Sequence, residues 1–553
     1  MKTRSDQKIW LSNLFITLLS VVFFIPFLGG VHLFDWDEIN FAESAREMIE
    51  TGDYLTVRIN FVPFWEKPPL FIWMQVISMK VFGINEFAAR FPNAICGIIS
   101  LLVLFNTGRK LVDIRFGLYW VLLYAGSLLP FFYFKSGIID PWFNLFIFLA
   151  IYQFFLYCKN TGQSTRFASA SAFFIGLAVL TKGPVAFLIF ALAILIFLII
   201  NKFRVKIRYP DVVIYLLVLA FTGGFWFILQ ILKGNFTVIA DFIVYQIRLF
   251  RTEDAGHGGF LFYHFVVLFA GVFPASIFAL PVLLGSGEEP GHKKVFYSMM
   301  LVLFWVVLVL FTIVRTKIVH YSSLCYFPLT FLAAWALYHR RCFTGWWKRI
   351  VQLLTLILGL ILVITIMLLT QIEHFKEDII SHNWIGDPFA RACLMAEVDW
   401  KGYEPVAGLV LFAGISGFAF LWSKKHHEKA FLTLTCTMPV FMFVAMFLIV
   451  PRVEAYSQRA VVEFFTAVSD QDAYLETVGY KSYAHLFYGK IRNHSHEQAK
   501  EEQWLLNGPI DKPAYFSLKV NRKEEFIQDH PDMELLYEKN GFVFFKRKAI
   551  IIK

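Results

Sequence analysis

Charge is what this chain has least of: 17% of its residues are Asp, Glu, Lys or Arg, against 58% that are hydrophobic. Soluble domains carry about a quarter charged residues, so an ordinary water-soluble enzyme is excluded. Cysteine is scarce as well, with six in 553 residues and none in CxxC or another metal-ligand spacing, which argues against a disulfide framework and a cysteine metal centre. The glycine-rich motif that cradles nucleotide phosphates is absent, so no nucleotide site is expected. Solenoid repeats and low-complexity segments are missing too.

What fills the chain is apolar, including 64 phenylalanines. Runs able to cross about 30 Å of hydrocarbon fall near 9–29, 89–108, 116–133, 141–158, 168–181, 185–200, 211–232, 262–284, 295–314, 321–338, 349–370, 405–423 and 429–450. The expected fold is therefore an α-helical polytopic membrane protein with about thirteen transmembrane helices. The first run is too long for a removed signal peptide and lacks a small-residue cleavage site, so it reads as an anchor.

Lysine and arginine set the orientation. Lys2, Arg4 and Lys8, then Arg109, Lys110 and Arg115, then Lys202, Arg204, Lys206 and Arg208, then Arg340, Arg341, Lys348 and Arg349, then Lys424, Lys425 and Lys429 fall in one alternating set of connections. These are read as cytoplasmic, as is the N-terminus. The 30–88 loop, the 233–261 loop and the tail after Val450 then lie outside. The net charge of +10 is mostly this bias, so nucleic acid is not an expected partner and anionic membrane lipids are.

Two units follow: a membrane catalytic region over 1–450 and an extracytoplasmic domain over 451–553. In the 30–88 loop, Phe41, Ala45, Met48 and Ile49 share a helix face that ends at Gly52, and a second helix starts at Pro68-Pro69 and stops before Gly83. Both are too short to span, and they are expected to lie in the interface plane. Beyond Val450 hydropathy falls. A helix over 457–468, a strand over 514–520 and a hairpin turning at Asn540-Gly541 predict a small α/β domain.

Carboxylates at a membrane surface need a reason. Asp35 reads as the cap of the first outer helix, with Glu38 completing a capping box. That leaves Asp37 either as a first-turn charge or as a general base that takes a proton from an acceptor hydroxyl. Asp140 either caps the helix before Pro141 or is a second acid that orients the acceptor or pairs with a site lysine. Outer-side cations break the inside bias: Arg58, Lys67, Lys135, Lys182, Arg248, Arg251, Arg315 and Lys317. Singly each is a snorkelling side chain; gathered on one face they suit a lipid phosphate. Glu66 and His257 offer an oxygen and an imidazole to a divalent cation, zinc or magnesium, although a surface histidine among Gly256, Gly258 and Gly259 is the plainer reading. His264 and His320, at span ends, read as interface residues.

The stretches Asp37-Glu38, Phe41-Ala-Glu-Ser-Ala-Arg-Glu-Met48, Gly52-Asp-Tyr54, Glu66-Lys-Pro-Pro-Leu70 with Trp73, and Glu86-Phe-Ala-Ala-Arg90 resemble the aminoarabinose transferase branch of the GT-C glycosyltransferases, which belongs with the protein O-mannosyltransferases. Looser matches continue through Asp140, Thr181-Lys-Gly-Pro184, Asp254-Ala-Gly-His257, Lys317 and Tyr321. The resemblance implies inverting transfer of a sugar from a polyprenyl-phosphate carrier to an extracytoplasmic acceptor at the cytoplasmic (inner) membrane. It implies Asp37 as base, Asp140 as second acid, Lys67 on the carrier phosphate, Glu66 and His257 as the metal-associated pair, and Lys317 and Tyr321 as a site lysine and tyrosine. Arg248 and Arg315 are further phosphate candidates. Aminoarabinose onto lipid A is the nearest precedent, with other sugars and with glycan or protein acceptors left open. Asn40 stands where many relatives place an arginine. A lipid-linked substrate transporter or flippase and a non-catalytic scaffold or sensor are the rival readings; the former calls for paired halves and mid-bilayer charges, and the sequence has neither.

Overall fold

The computed structural model describes residues 4–160, 164–251, 258–285, 293–493 and 497–550. Among them nine helices are long and apolar enough to cross a membrane, and a tenth span is counted if the pair Tyr263–Gly271 and Ala275–Leu283, bent by 119°, is one crossing. Three other expected spans fall on short or interrupted segments. Ile114–Ala125 has 12 residues and is followed by a separate six-residue helix, Leu128–Tyr133; Val185–Ile200 has 16; and Tyr326–Tyr338 has 13, behind the 3-10 stretch Val319–Cys325. Among the described residues, length and hydropathy alone therefore mark nine or ten crossings. The membrane helices share one apolar core, rich in phenylalanine, that includes Phe116, Trp120, Phe327 and Phe331.

The 30–88 loop folds into the two expected helices, Asp37–Thr51 and Leu70–Phe82. Gly52 closes the first at φ 69°, the left-handed conformation that costs glycine least. Between them the two-residue strands β1 (Arg58–Ile59) and β2 (Val62–Pro63) pair antiparallel. Eleven residues of the first helix, Glu38 to Met48, are buried within the protein. Its charges are neutralised internally: Arg46 forks onto Glu43 at 2.7 and 2.6 Å and reaches Glu50 at 2.6 Å, while Glu47 accepts the Phe61 N–H at 2.9 Å. With those charges satisfied within the protein, the helix can bury its apolar residues under a second layer without leaving any charge unpaired.

That second layer is the C-terminal α/β unit. Strands β3 (Tyr474–Val478), β4 (Ala514–Lys519), β5 (Glu534–Lys539) and β6 (Phe542–Arg547) form a sheet in the order β3-β4-β6-β5, with β3 and β4 parallel and the other neighbours antiparallel. Asn540 and Gly541, at φ 51° and 80°, make the predicted hairpin turn, and the predicted helix spans Arg459–Val468. One apolar core joins Ile39, Phe41, Met48 and Phe71 of the outer helices to Val461, Phe465, Leu486 and Phe544 of this unit. Polar ties fix the docking: Leu33 N–H donates to the Tyr488 hydroxyl at 2.7 Å, His32 pairs with Glu454 at 2.9 Å, and Arg46 donates to the Ile491 carbonyl at 2.8 Å.

Candidate active site

The four residues Asp35 to Glu38 point to three different places, and the divergence is what frees Asp37. The residue ahead of the helix is Trp36, and no side chain caps it, so the expected capping box does not form. Glu38 is drawn inward instead, because the buried guanidinium of Arg90 offers it a two-point ion pair at 2.7 and 3.0 Å. The same carboxylate accepts the backbone N–H groups of Phe34 and Gly137. Arg90 spends its remaining donors on the carbonyls of Leu28, Val31 and His32, each at 2.8 Å. Asp35 turns towards the C-terminal unit, where its Oδ1 accepts the Tyr483 N–H at 3.3 Å. Asp37, the first helical residue, is left facing a cavity of about 720 Å³ with its side chain 41% exposed.

Asp140 reaches the same cavity from the opposite wall. Glu38 holds Gly137, and the Asn93 amide donates to the carbonyls of Ser136 and Ile138 at 2.6 Å each, so the turn that launches the helix Asp140–Lys159 is fixed. The cap of that helix is Ile139, without a side-chain bond, so Asp140 does not serve as a cap. Its buried carboxylate accepts from Lys182 at 2.6 Å, as a site acid paired with a lysine would. Lys182, the last residue of Ser164–Lys182, also lies over the rings of Tyr321 and Phe143, at 5.2 and 5.6 Å. His320 joins the two acids: its Nε2 stands 3.4 Å from Asp37 Oδ2 and 3.9 Å from Asp140 Oδ2.

Lys67 completes the charged end, in the loop that runs into Leu70–Phe82. Burial pushes its ammonium below the usual lysine range, and the charges of Glu66 and Asp37 oppose that. An arriving phosphate would reinforce the protonated form. Away from these charges the wall is apolar, with Phe143, Val185, Leu188, Phe311, Val314 and Ile318. A cavity that is ionic at one end and greasy at the other suits a ligand built the same way.

The structure thus brings together Asp37, Asp140, Lys67, Glu66 and Tyr321. Arg248 stands beside them through its contact with Glu66, at 3.7 Å. Arg315 is exposed and does not line the cavity. The Lys317 ammonium donates to the carbonyls of Phe311, Thr312 and Val314, at 3.0, 2.7 and 2.6 Å, and so closes the end of the helix Lys293–Ile313 rather than facing a phosphate. His257 lies outside the described residues, and among those described no three His, Cys, Asp or Glu side chains gather as a metal site would need. Of the other histidines, His264 is buried against the Ser322 hydroxyl at 3.1 Å.

Sequence reasoning missed His320, taken for an interface residue, although its adjacency to Tyr321 was a signal. It also missed Lys481 and Tyr483, which the C-terminal unit contributes to the cavity from more than four hundred residues beyond Asp37.

Comparison with known proteins bears on this geometry. Residues 66–226 match the family model described as dolichyl-phosphate-mannose-protein mannosyltransferase. Over 440 residues the chain is 25% identical to the undecaprenyl phosphate-alpha-4-amino-4-deoxy-L-arabinose arabinosyl transferase of Pectobacterium carotovorum, covering 78% of this chain and 74% of that one. Its counterpart in Edwardsiella ictaluri is 28% identical over 361 residues, 62% of this chain and 63% of that one. The crystal structure of ArnT from Cupriavidus metallidurans bound to undecaprenyl phosphate superposes with a TM-score of 0.75 at 18% identity, over 97% of this chain and 98% of that one. The apo state of the same protein gives 0.72. The resemblance to the aminoarabinose transferase branch therefore holds in sequence and in fold.

Proposed function

We propose that this polytopic membrane protein of GT-C fold is a glycosyltransferase that moves a sugar from a polyprenyl-phosphate carrier to an acceptor outside the cytoplasmic membrane. The observation that carries the reading is one cavity in which Asp37 and Asp140 face Lys67, Lys182 and His320 beside an apolar wall. The isoprenoid chain would rest on that wall, and its phosphate would meet Lys67. Asp37 would take the proton of an acceptor hydroxyl as that oxygen attacks the anomeric carbon. The bond from that carbon to the carrier phosphate oxygen breaks, and its electron pair leaves with the phosphate, whose charge Lys67 stabilises. One displacement from the face opposite the leaving group inverts the anomeric centre. Asp140, neutralised by Lys182, would hold His320 against Asp37 and keep the base aligned.

The relatives' names support undecaprenyl phosphate as carrier and 4-amino-4-deoxy-L-arabinose as sugar. Lipid A is the acceptor we propose. The positive-inside distribution supports a cytoplasmic N-terminus and an extracytoplasmic domain after residue 450. Mass spectrometry of lipid A and surface glycans from cells with and without the protein tests the reading. A pentosamine-sized mass increment present only with the protein is the expected result, and identical profiles would refute it.

A further inference from the structure

The C-terminal unit closes the cavity with one segment, Tyr480 to Tyr483, that no part of the catalytic scheme uses. The segment is held at every residue but one. Gly479 turns the chain into it at φ 72°, where a Cβ would stand 1.8 Å from the Arg522 guanidinium. The Tyr480 hydroxyl bonds the Ser517 hydroxyl at 2.7 Å, Ser482 hydrogen-bonds the Asp35 carboxylate, and Tyr483 donates its N–H to the same carboxylate. The Trp36 indole reaches the Tyr483 side chain as well. Asp35, no helix cap, is thus the clasp between the catalytic loop and the outer domain.

The residue left over is Lys481. Its ammonium rests on the Trp36 ring at 4.2 Å and lies 5.8 Å from the centre of the Tyr483 ring, at the exposed edge of the cavity. Among the described residues it makes no ion pair, whereas Lys182 is matched by Asp140 and Arg248 by Glu66. Aromatic faces fix the position of a cation without neutralising it. A positioned, unneutralised lysine at a cavity mouth is suited to an incoming anion. The donor's lipid chain belongs against the apolar wall on the membrane side, and a polar acceptor entering from the water must pass the outer domain.

We propose that Lys481, seated on Trp36, is the specificity-determining residue that binds an anionic, phosphate-class group on the acceptor at the cavity mouth. The inference rests on the transferase reading. It is tested on the full-length protein in lipid nanodiscs, with a polyprenyl-phosphate sugar as donor and a bisphosphorylated, acylated glucosamine disaccharide or its monophosphorylated form as acceptor. Losing one charge-assisted hydrogen bond weakens an interaction about tenfold. Lys481→Gln should therefore raise the KM for the bisphosphorylated acceptor about tenfold, leave kcat and the donor KM unchanged, and weaken equilibrium binding of that acceptor by the same factor. Lys481→Arg should restore both, and Lys546→Gln, which removes a lysine lying over Tyr515 elsewhere in the same domain, should change neither. The monophosphorylated lipid should lose part of its sensitivity to Lys481. An unchanged acceptor KM and affinity in Lys481→Gln, or a raised donor KM instead, overturns the assignment while leaving the transferase reading intact. If the wild-type protein transfers nothing, both fall.

Discussion

At the scale of single residues, function depends on neighbours pulling in different directions. Glu38 and Asp37 are adjacent carboxylates of the same chemical kind, yet Glu38 is locked to Arg90 and Asp37 faces the cavity. Sequence alone placed both in the loop that lines the cavity and, by resemblance, named Asp37 as the candidate base. It could not see that Glu38 is structural, because its partner Arg90 lies 52 residues away. Nor could it see that Lys317 closes a helix end, since a lysine at a span terminus looks the same whether it serves carbonyls or phosphate. Lys67→Ala is expected to raise the donor Kd about ten- to a hundredfold, the worth of a lost charge-assisted contact, measured by titrating donor into purified protein. Lys317→Ala should leave that Kd unchanged.

Between elements, the tie that matters is the Glu38–Arg90 pair, because it joins the first outer helix to the helix Glu86–Leu111 and, through Gly137, to the turn ahead of Asp140. Removing one partner of a buried pair leaves a charge without compensation, which costs about 3–5 kcal/mol. Glu38→Ala should lower the thermal midpoint sharply, and the double variant Glu38→Ala/Arg90→Met should recover part of the loss. A double variant no better than Glu38→Ala would contradict this account. Both outer helices were legible in the sequence with nearly their observed ends, since spacing and Gly52 mark them. Their environment was not: an amphipathic face reads alike whether it meets lipid or another domain.

For the whole molecule, the C-terminal domain closes over the cavity and shares a core with the helices Asp37–Thr51 and Leu70–Phe82. A chain ending at residue 450 would expose that core, and it is expected to aggregate on size-exclusion chromatography, where full-length protein elutes as a single species. Glu47, buried in the helix Asp37–Thr51, has its carboxyl pushed up to about 9, first by burial and then by the Glu43 charge. The folded state therefore keeps a proton that the unfolded chain releases near pH 4.5. Its contribution to stability is greatest below pH 4.5 and declines as pH rises towards 9. Glu47→Gln should flatten that alkaline decline in a thermal-shift series; an unchanged slope would contradict it. The sequence revealed the membrane architecture and the small α/β domain through hydropathy, alternation and the Asn540-Gly541 turn. Contact between the two regions joins residues about four hundred apart, and no local pattern encodes it.

The central claim is that Asp37 acts on the acceptor while the cations hold the donor. Its most direct measurement is single-turnover transfer from a polyprenyl-phosphate sugar by purified wild-type protein and by Asp37→Asn, with donor affinity measured on the same preparations. The account predicts a loss of rate of about 10²–10⁴-fold, the range for a positioned general base, with donor Kd within about twofold of wild type. An Asn variant that turns over at the wild-type rate would contradict it.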